Sequence, residues 1–392
     1  MREVVIVEAV RTPVGKRNGQ LSQVRADELA SMVIREVVKR AQLDPHQIED
    51  VILGCVSQVG EQSQNIARTA ALIAGLPVEV PGTTIDRQCG SSEQAVHFAA
   101  QAIQSGDMDV VIAGGIENMS RVPLGSTVQG VKPSPELSKR YELLHQGLSA
   151  DRIADEWKMT RKQLDEYALE SHRRAVRALQ NGYFDRSVMP VTVTQADGQQ
   201  HIVNRDEGPR EDTSFEKLAR LSPAFNPEGN VTAGNSSQIS DGAGSMLIMS
   251  KERALALGFT PRFRIVARTV VGSDPTLMLT GPIPATEKVL EKARLSIDQI
   301  DHFEVNEAFA SVPLAWLDAF RVDPSKVNPL GGAIALGHPL GASGMRLMIT
   351  MMDELDRTGG RYGLQTMCEG NGMANATIIE RIVSSGEGSS WH

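Results

Sequence analysis

Residues 84–95 read Thr-Ile-Asp-Arg-Gln-Cys-Gly-Ser-Ser-Glu-Gln-Ala, and the interpretation of the whole chain follows from them. A short run of polar and turn-forming residues presents Cys89, and an apolar stripe at helical spacing follows at once. Cys89 therefore lies where a helix is predicted to begin, beside unpaired backbone N–H groups and the positive end of the helix dipole. We expect this field to favour the thiolate, which is the nucleophilic form of cysteine.

A lone cysteine has an ordinary interpretation as a small buried hydrophobe, and that alternative applies to Cys89 as well. Gly90, Ser91 and Ser92 are small enough to let a substrate approach the thiol closely. The flanking residues and the helix start therefore favour a nucleophile. Cys55 lacks such a setting, and we expect it to belong to the core.

Strands and helices alternate on both sides of this turn. Apolar strands are predicted at 4–7, 51–55 and 109–113, the last closed by a pair of glycines, and helices at 26–41 and 65–74. This alternation is typical of an α/β fold whose mostly parallel sheet is covered by helices on both faces.

The second half of the chain repeats the first. Residues 264–272 echo residues 5–13, and a helix, a strand and a glycine-rich turn follow in the same order. We therefore predict a duplicated α/β unit. Its first half spans residues 1–118 and is completed by about 240–260, an inserted domain covers 119–239, and the second half spans 261–383. The tail, 384–392, has the composition of a flexible linker.

The overall composition excludes several classes of protein. The chain has 392 residues, a net charge of −8 and no basic stripe, which argues against a nucleic-acid surface. The first residues predict a strand and not a signal peptide, and no stretch is apolar enough to span a membrane. The three cysteines are widely spaced, so we expect neither a disulfide framework nor a metal site, and a reducing cytoplasm is the simplest location.

Three stretches of the second half carry candidate chemistry. Asn306 and Glu307 follow a predicted strand, where α/β proteins bind ligands, although Asn306 could equally cap a helix. Five glycines in residues 331–344 surround His338; a phosphate-binding loop is the alternative, but the lysine and spacing of that motif are missing. Cys368 stands beside glycines at a predicted strand end, as Cys89 does. The two cysteines and His338 lack the paired spacing of metal ligands.

Together these stretches resemble the thiolases, the acyl-CoA C-acyltransferases, over nearly the whole chain. The motifs that carry the resemblance are Cys89-Gly-Ser-Ser, Gly234-Asn-Ser-Ser, Asn306-Glu-Ala-Phe, Gly331-Gly-Ala-Ile-Ala-Leu-Gly-His-Pro and Cys368-Glu-Gly-Asn-Gly. The resemblance implies a duplicated α/β unit in five layers, αβαβα, with an inserted loop domain that binds coenzyme A. It also implies a homodimer or a homotetramer. No permanent cofactor is implied, because coenzyme A is a substrate.

The resemblance also implies roles for five residues. Cys89 would carry the acyl group as a thioester, and His338 would accept its proton. Cys368 would be the second acid/base. Asn306, through a water, would form one oxyanion site with His338, and the backbone N–H groups of Cys89 and Gly370 would form the other.

The coenzyme A contacts implied by the family lie mainly in the inserted domain. Arg210 matches the position near the adenine, although a solvated surface charge is the alternative. The residues that match the segment along the pantetheine are Ala233, Gly234 and Ser237. Those that match the pocket around the reactive end are His145, Met278, Ala308 and Phe309.

The predicted activity is that of a thiolase that makes or cleaves 3-ketoacyl-CoA by a ping-pong mechanism, in fatty-acid or related acyl-CoA metabolism. The alternatives are a biosynthetic thiolase specific for acetoacetyl-CoA, a ketosynthase-like condensing enzyme and a non-catalytic CoA-binding relative. Ketosynthases typically use two histidines where this chain has His338 and Cys368, and a binding protein would be expected to have lost one of the catalytic residues. The chain departs from the family at Asn371, where glycine is common. Asparagine tolerates left-handed backbone, so we expect the turn to survive.

Overall fold

The computed structural model describes residues 2–195 and 197–382, so the predicted tail, 384–392, lies outside the described residues. Twelve strands were found, at β1 Val4–Arg11, β2 Gly15–Lys16, β3 Asp50–Gly54, β4 Gly82–Ile85, β5 Val110–Asn118, β6 Val191–Thr194, β7 Gln200–Val203, β8 Ser240–Ser250, β9 Phe263–Gly272, β10 His302–Val305, β11 Tyr362–Glu369 and β12 Met373–Arg381. Twelve α-helices accompany them, at α1 Ala26–Ala41, α2 Ile66–Ala74, α3 Ser91–Ser105, α4 Pro135–Ser138, α5 Gln146–Glu156, α6 Arg161–Gln180, α7 Phe215–Ala219, α8 Lys251–Ala256, α9 Pro282–Ala293, α10 Ser311–Phe320, α11 Ala333–Leu336 and α12 Ser343–Thr358.

The sheet repeats its own topology. In the first half the strands pair in the order β1–β8–β5–β3, and in the second half in the order β9–β12–β11–β10. In each series the first two pairings are antiparallel and the third is parallel. The two series meet where β1 pairs with β9, so the fold is a duplicated α/β unit.

The prediction of a mostly parallel sheet is wrong. Only the pairs β3–β4, β3–β5 and β10–β11 are parallel among the described strands. Strands β8 and β12 each run between two neighbours of opposite direction. A tight turn joins β11 to β12, and a long segment joins β5 to β8. Neither connection is the single crossover helix that typically joins two parallel strands. A buried strand is an apolar run whether its neighbours are parallel or antiparallel, so the sequence pattern does not distinguish the two kinds of sheet.

Helices α3 and α12 form a layer between the two halves. Their apolar residues pack in one buried cluster with β1, β5, β8 and β9. Helices α1 and α2 cover the outer face of the first half, and α9 and α10 cover the outer face of the second. The arrangement is the five-layered αβαβα sandwich expected from the sequence, and it places the turns before α3 and α12 in the middle of the molecule.

Between β5 and β8 the chain forms helices α4–α7 and the β6–β7 hairpin, and several of its apolar residues pack with residues of the second half. The boundaries proposed for an inserted domain stay a prediction. The sequence predicted that β5 ends before its glycine pair, but the strand continues to Asn118. Those glycines serve close packing, because a methyl group on Gly115 would lie 2.1 Å from the backbone oxygen of Gly341.

The close approach of α3 and α12 gives a stability prediction. A methyl group on Gly344 would lie 2.5 Å from the backbone nitrogen of Glu93, which cannot move without shifting α3. We expect Gly344→Ala to lower the free energy of unfolding by about 1–3 kcal/mol, as overpacking typically does. Urea titration monitored by circular dichroism measures this. Gly272→Ala is the matched control, since no atom lies within 4 Å of a methyl group there. An equal effect of both substitutions would contradict the prediction.

Candidate active site

Cys89 lies in the turn that joins β4 to α3. The turn is held by Ser91, whose hydroxyl donates to the Gln88 carbonyl at 2.6 Å and accepts the Arg87 N–H at 2.8 Å. Gln88 adopts the left-handed conformation, with a φ of +48°. The helix itself starts at Ser91, two residues after the cysteine. The Cys89 side chain packs against Leu340, Leu347 and Met367, and the residue is only 5% exposed.

The prediction that the helix start favours a Cys89 thiolate is wrong. The pKa of this thiol is raised well above its ordinary value, first by burial and then by the neighbouring Cys368 and Glu369, which are themselves acids. Desolvation disfavours the charged form of a group more strongly than a partial dipole charge favours it. The Cys89 thiol is therefore neutral at rest, and it would need a base in order to react as a nucleophile.

Cys368 lies near the end of β11, opposite Ala374 of β12. It is fully buried, and burial raises the pKa of its thiol to about 12. The turn beyond it spans residues 370–372, in which Asn371 has a φ of +63° and Gly372 a φ of +76°. Asparagine therefore adopts the left-handed conformation in place of the family's glycine, as expected.

His338 lies between two tight turns. Gly337 precedes it with a φ of +101°, a conformation that favours glycine, and a 3-10 turn at Leu340–Ala342 follows. The ring nitrogen Nδ1 lies 2.5 Å from the Ser343 hydroxyl, and that hydroxyl donates its only hydrogen to the Pro339 carbonyl at 2.8 Å. Ser343 must therefore accept from Nδ1–H. This fixes the tautomer and leaves Nε2 free to act as a base.

The His338 ring is neutral at rest. Burial, and then the positive charge of Arg346, lower the pKa of the imidazole to about 3. A neutral ring with an unprotonated Nε2 is the form that can take a proton from a thiol.

Asn306 connects these groups. Its side-chain nitrogen Nδ2 lies 3.5 Å from His338 Nε2, and the same side chain is close enough to Cys368 to act on the pKa of that thiol, which it lowers against the larger effect of burial. Its backbone N–H donates to Thr366 on the neighbouring strand β11. The alternative that Asn306 caps a helix is wrong, because α10 begins only at Ser311.

Glu307 has a structural role that sequence reasoning missed. Its carboxylate accepts hydrogen bonds from Tyr167, Ser171 and Asn328 and from the backbone N–H of Ile334. It thereby fixes the glycine turn that leads to His338 against helix α6. A methyl group on Gly332 would lie 2.2 Å from the Glu307 carboxyl carbon, so that glycine is required for the contact.

Glu117 is a second residue without a sequence signal. Its buried carboxylate accepts backbone N–H groups of Val56, Ser57 and Gly341, the last at 2.9 Å. The turn after His338 is thus tied to strand β5 of the first half. No spacing motif marks a carboxylate that binds backbone groups so far away in sequence.

The structure brings several of the predicted CoA contacts together. Met278, Ala308 and Phe309 share one apolar cluster with Cys368. The Ser237 N–H donates to the Ala308 carbonyl at 2.9 Å, which lays the segment containing Gly234 beside this cluster. Ala233, at the end of that segment, is exposed.

Phe225 completes an aromatic group that the sequence did not reveal. The His145 ring stacks on Phe225 at 5.1 Å between centroids, and Phe225 meets the edge of Phe309 at 5.8 Å. His145 is thereby connected to the apolar cluster although it is itself exposed. Nothing in the local pattern around Phe225 distinguishes it from an ordinary loop aromatic.

Arg210 is exposed, and its backbone N–H donates to His172 Nδ1 at 3.1 Å. Gly370 lies close to the Cys89 turn, because a methyl group on it would be 3.1 Å from Gln88 Oε1. Within residues 2–195 and 197–382, no group of three or more metal-binding side chains is close enough to hold an ion. None of the helices in those ranges has the length and apolar character needed to cross a membrane.

Two family models match the chain, the thiolase N-terminal domain over residues 4–252 and the thiolase C-terminal domain over residues 259–381. The chain belongs to the thiolase family. This confirms the resemblance that the motifs suggested, and the topology described above is the fold of that family.

This thiolase has relatives that match it over 95% or more of their lengths. A steroid 3-ketoacyl-CoA thiolase FadA6 from Mycobacterium tuberculosis is 47% identical, over 97% of this chain and 95% of the relative. A 3-ketoacyl-CoA thiolase from Aliivibrio fischeri is 44% identical, over 97% of this chain and all of the relative. The crystal structure of the Bacillus anthracis acetyl-CoA acetyltransferase superimposes with a TM-score of 0.91 at 40% identity, covering 97% and 99% of the two chains. The thiolase is therefore an acyltransferase of acyl-CoA metabolism.

The raised pKa of Cys89 predicts how this thiolase reacts with iodoacetamide. Cys89 should be alkylated before Cys55 and Cys368, because it is 5% exposed whereas the other two are fully buried. Its rate should rise about tenfold per pH unit from pH 7 to 9, since the thiolate fraction keeps growing below the pKa. Peptide mass spectrometry against time gives the rates, with Cys89→Ser as control. A rate that does not change with pH would show that the thiolate is already formed.

Proposed function

We propose that this thiolase transfers acyl groups through a thioester on Cys89, with Cys368 acting as a second acid/base. The single observation that carries the proposal is the position of the Asn306 amide, whose Nδ2 lies 3.5 Å from His338 Nε2 and which is also close enough to Cys368 to act on the pKa of that thiol. Cys368 in turn lies close enough to Cys89 to raise its pKa. Three groups able to exchange protons thus surround one reacting centre.

In the first step, Cys89 sulfur attacks the acyl carbon of the substrate while His338 Nε2 takes the thiol proton. The fixed tautomer of His338 supports this assignment, since its Nδ1–H is held by Ser343. With a 3-ketoacyl-CoA substrate, the bond between the α and β carbons breaks. The acetyl-CoA enolate that leaves takes a proton at carbon from Cys368.

In the second step, free CoA gives its thiol proton to the Cys368 thiolate and its sulfur attacks the thioester, and the Cys89 sulfur that leaves takes back the proton held by His338. Each attack places negative charge on an oxygen. We assign one oxyanion site to His338 and to a water held by Asn306, and the other to the N–H groups of Cys89 and Gly370. The short distance between Gly370 and the Cys89 turn supports the second site.

Coenzyme A serves as substrate in this proposal, with no permanent cofactor. Its reactive end would enter beside Met278, Ala308 and Phe309, which share a cluster with Cys368. The pantetheine would follow Gly234 and Ser237, with Ala233 exposed beside them. The contacts of Ala233, Gly234 and Ser237, and those of His145 and Arg210, would come from the inserted domain that we place at 119–239.

A homodimer or homotetramer in a reducing cytoplasm completes the proposal. Strand β4 is one edge of the sheet, and the nearby Leu72, Ile73 and Val78 are exposed apolar residues, features that support pairing with a second copy. Catalysis requires Cys89 and Cys368 as free thiols, which a reducing compartment maintains.

A trapping experiment should distinguish the roles of the two cysteines. Cys368→Ser replaces the thiol by a hydroxyl whose pKa is too high for proton transfer at carbon, so kcat for condensation or cleavage should fall about 10²–10⁴-fold. Acetyl transfer from acetyl-CoA to Cys89 needs no such proton, and acid quenching followed by mass spectrometry should still find acetyl-Cys89. Cys89→Ala should not be acetylated at all. A Cys368→Ser protein that folds and binds CoA but cannot be acylated would disprove this division of roles.

Arg210→Ala tests the placement of the adenine end of CoA. We expect KM for CoA substrates to rise with kcat nearly unchanged, because a contact remote from the reacting atoms stabilises ground and transition states alike. Steady-state kinetics measures both constants, and Arg35→Ala on the outer helix α1 serves as an exposed arginine control. A large loss of kcat at unchanged KM would contradict the assignment.

The substrate should be a 3-ketoacyl-CoA larger than acetoacetyl-CoA. The names of relatives at 42–47% identity, which include steroid 3-ketoacyl-CoA and β-ketoadipyl-CoA thiolases, support this choice. Apolar residues exposed in the 120–145 segment, among them Leu124, Val128 and Leu137, could line the path of a longer acyl chain. We expect kcat/KM for thiolysis of a longer 3-ketoacyl-CoA to exceed that for acetoacetyl-CoA. The reverse order would favour the biosynthetic alternative.

A further inference from the structure

The residue after Cys368 is a buried acid that the mechanism does not use. Glu369 is fully buried, and its side chain packs beside Gly90, the residue after Cys89. A methyl group on Gly90 would lie 2.1 Å from Glu369 Oε1 and 1.9 Å from Asn375 Oδ1. The two oxygens therefore flank the same small space, next to the backbone that connects the nucleophile to its helix.

These oxygens lack the partners that another buried acid nearby has. Glu93 accepts a hydrogen bond from the Thr377 hydroxyl at 2.6 Å and another from the Gln365 amide at 3.0 Å. Neither Glu369 carboxyl oxygen, nor Asn375 Oδ1, meets a hydrogen-bond donor among the residues that the structure describes. Two buried acceptors side by side are unfavourable unless one of them carries a proton. A protonated carboxyl group supplies that donor.

The charges that face Glu369 do not all act in one direction. Glu93 on α3 and Asp86 on the turn before Cys89 disfavour a negative charge on Glu369, whereas Arg87 on that turn favours it. Burial is the largest effect, and the pKa of Glu369 rises to about 9. The two thiols face the same carboxyl group, and each has its pKa raised by it.

We propose that Glu369 is a positioning residue, kept as a neutral acid, whose O–H donates to Asn375 Oδ1. Asn375 Nδ2 in turn donates to Gln94 Oε1 on α3 at 3.4 Å. This chain of hydrogen bonds connects the β11–β12 hairpin, which carries Cys368, to the helix that follows Cys89. It thereby fixes the separation of the two thiols. The inference rests on the roles proposed for Cys89 and Cys368.

Ionisation of Glu369 would undo this arrangement in two ways. The hydrogen bond to Asn375 would be lost, because a carboxylate can only accept. A negative charge would also appear beside both thiols and oppose the thiolate that forms on Cys89 during attack. Activity should therefore fall in alkaline solution as Glu369 loses its proton.

Infrared spectroscopy tests the protonation state without reference to activity. The wild-type spectrum minus that of Glu369→Gln should contain the C=O band of a protonated carboxyl group at pH 7, and this band should disappear above about pH 9. Glu93→Gln is the matched control for the neighbouring buried acid and should leave that band in place. If the difference spectrum shows an ionised carboxylate at pH 7, Asn375 must be turned to donate its amide, and the proposal is overturned.

Kinetics tests the positioning role. Glu369→Leu removes the hydrogen bond, and kcat should fall about tenfold, the equivalent of one buried hydrogen bond, with little change in KM for CoA. Glu369→Gln can donate to Asn375 at every pH, so it should recover most of kcat and lose the alkaline decline. Equal kcat losses in both variants, or a Gln variant that keeps the wild-type alkaline limb, would overturn the proposal. Should Cys89 never be acylated in any variant while the infrared band is present, the proposed thiol roles fail and the acid–amide pair stands.

Discussion

The contact between helices α3 and α12 is the constraint on which the active site depends. Gly344 leaves no room for a methyl group against the backbone of Glu93, so the two helix backbones are in close contact there. Each helix comes from a different half of the duplication, and each is preceded by a turn that carries a catalytic candidate. Cys89 precedes α3, and His338 precedes α12. Packing in the middle layer is therefore what brings the two turns to one place.

Burial then determines the protonation states of the groups in the candidate active site. The pKa values of both active-site thiols are raised and that of His338 is lowered, in each case chiefly by desolvation. All three groups are consequently neutral before substrate binds. Charge appears only when a proton moves between them, and the Nδ1–H of His338, which donates to Ser343, already orients the ring to receive it. Before substrate binds, Cys89, Cys368 and His338 are therefore neutral hydrogen-bonding groups and do not form an ion pair.

The sequence predicted the parts that depend on local pattern. Helix α1 spans the residues predicted for it, and the family motifs correctly identified the chain as a thiolase. Strand direction was mispredicted, since an apolar run does not encode it. The thiolate at Cys89 was also mispredicted, because a helix start is visible in sequence whereas the depth of burial and the neighbouring Glu369 are not. Glu117 and Phe225 could not be found at all, since their partners lie far away along the chain.

The seam between the two halves has a consequence for how the protein folds. Among the residues that the structure describes, direct sheet pairing across it joins Val5 with Arg264 and Ile6 with Phe263. The much larger buried contact is the layer of α3 and α12, to which each half contributes one helix. A fragment containing one half would expose the inner apolar face of its sheet and helix to water. We therefore expect that the repeated topology does not create two independent folding units, because neither half can bury its inner apolar face alone.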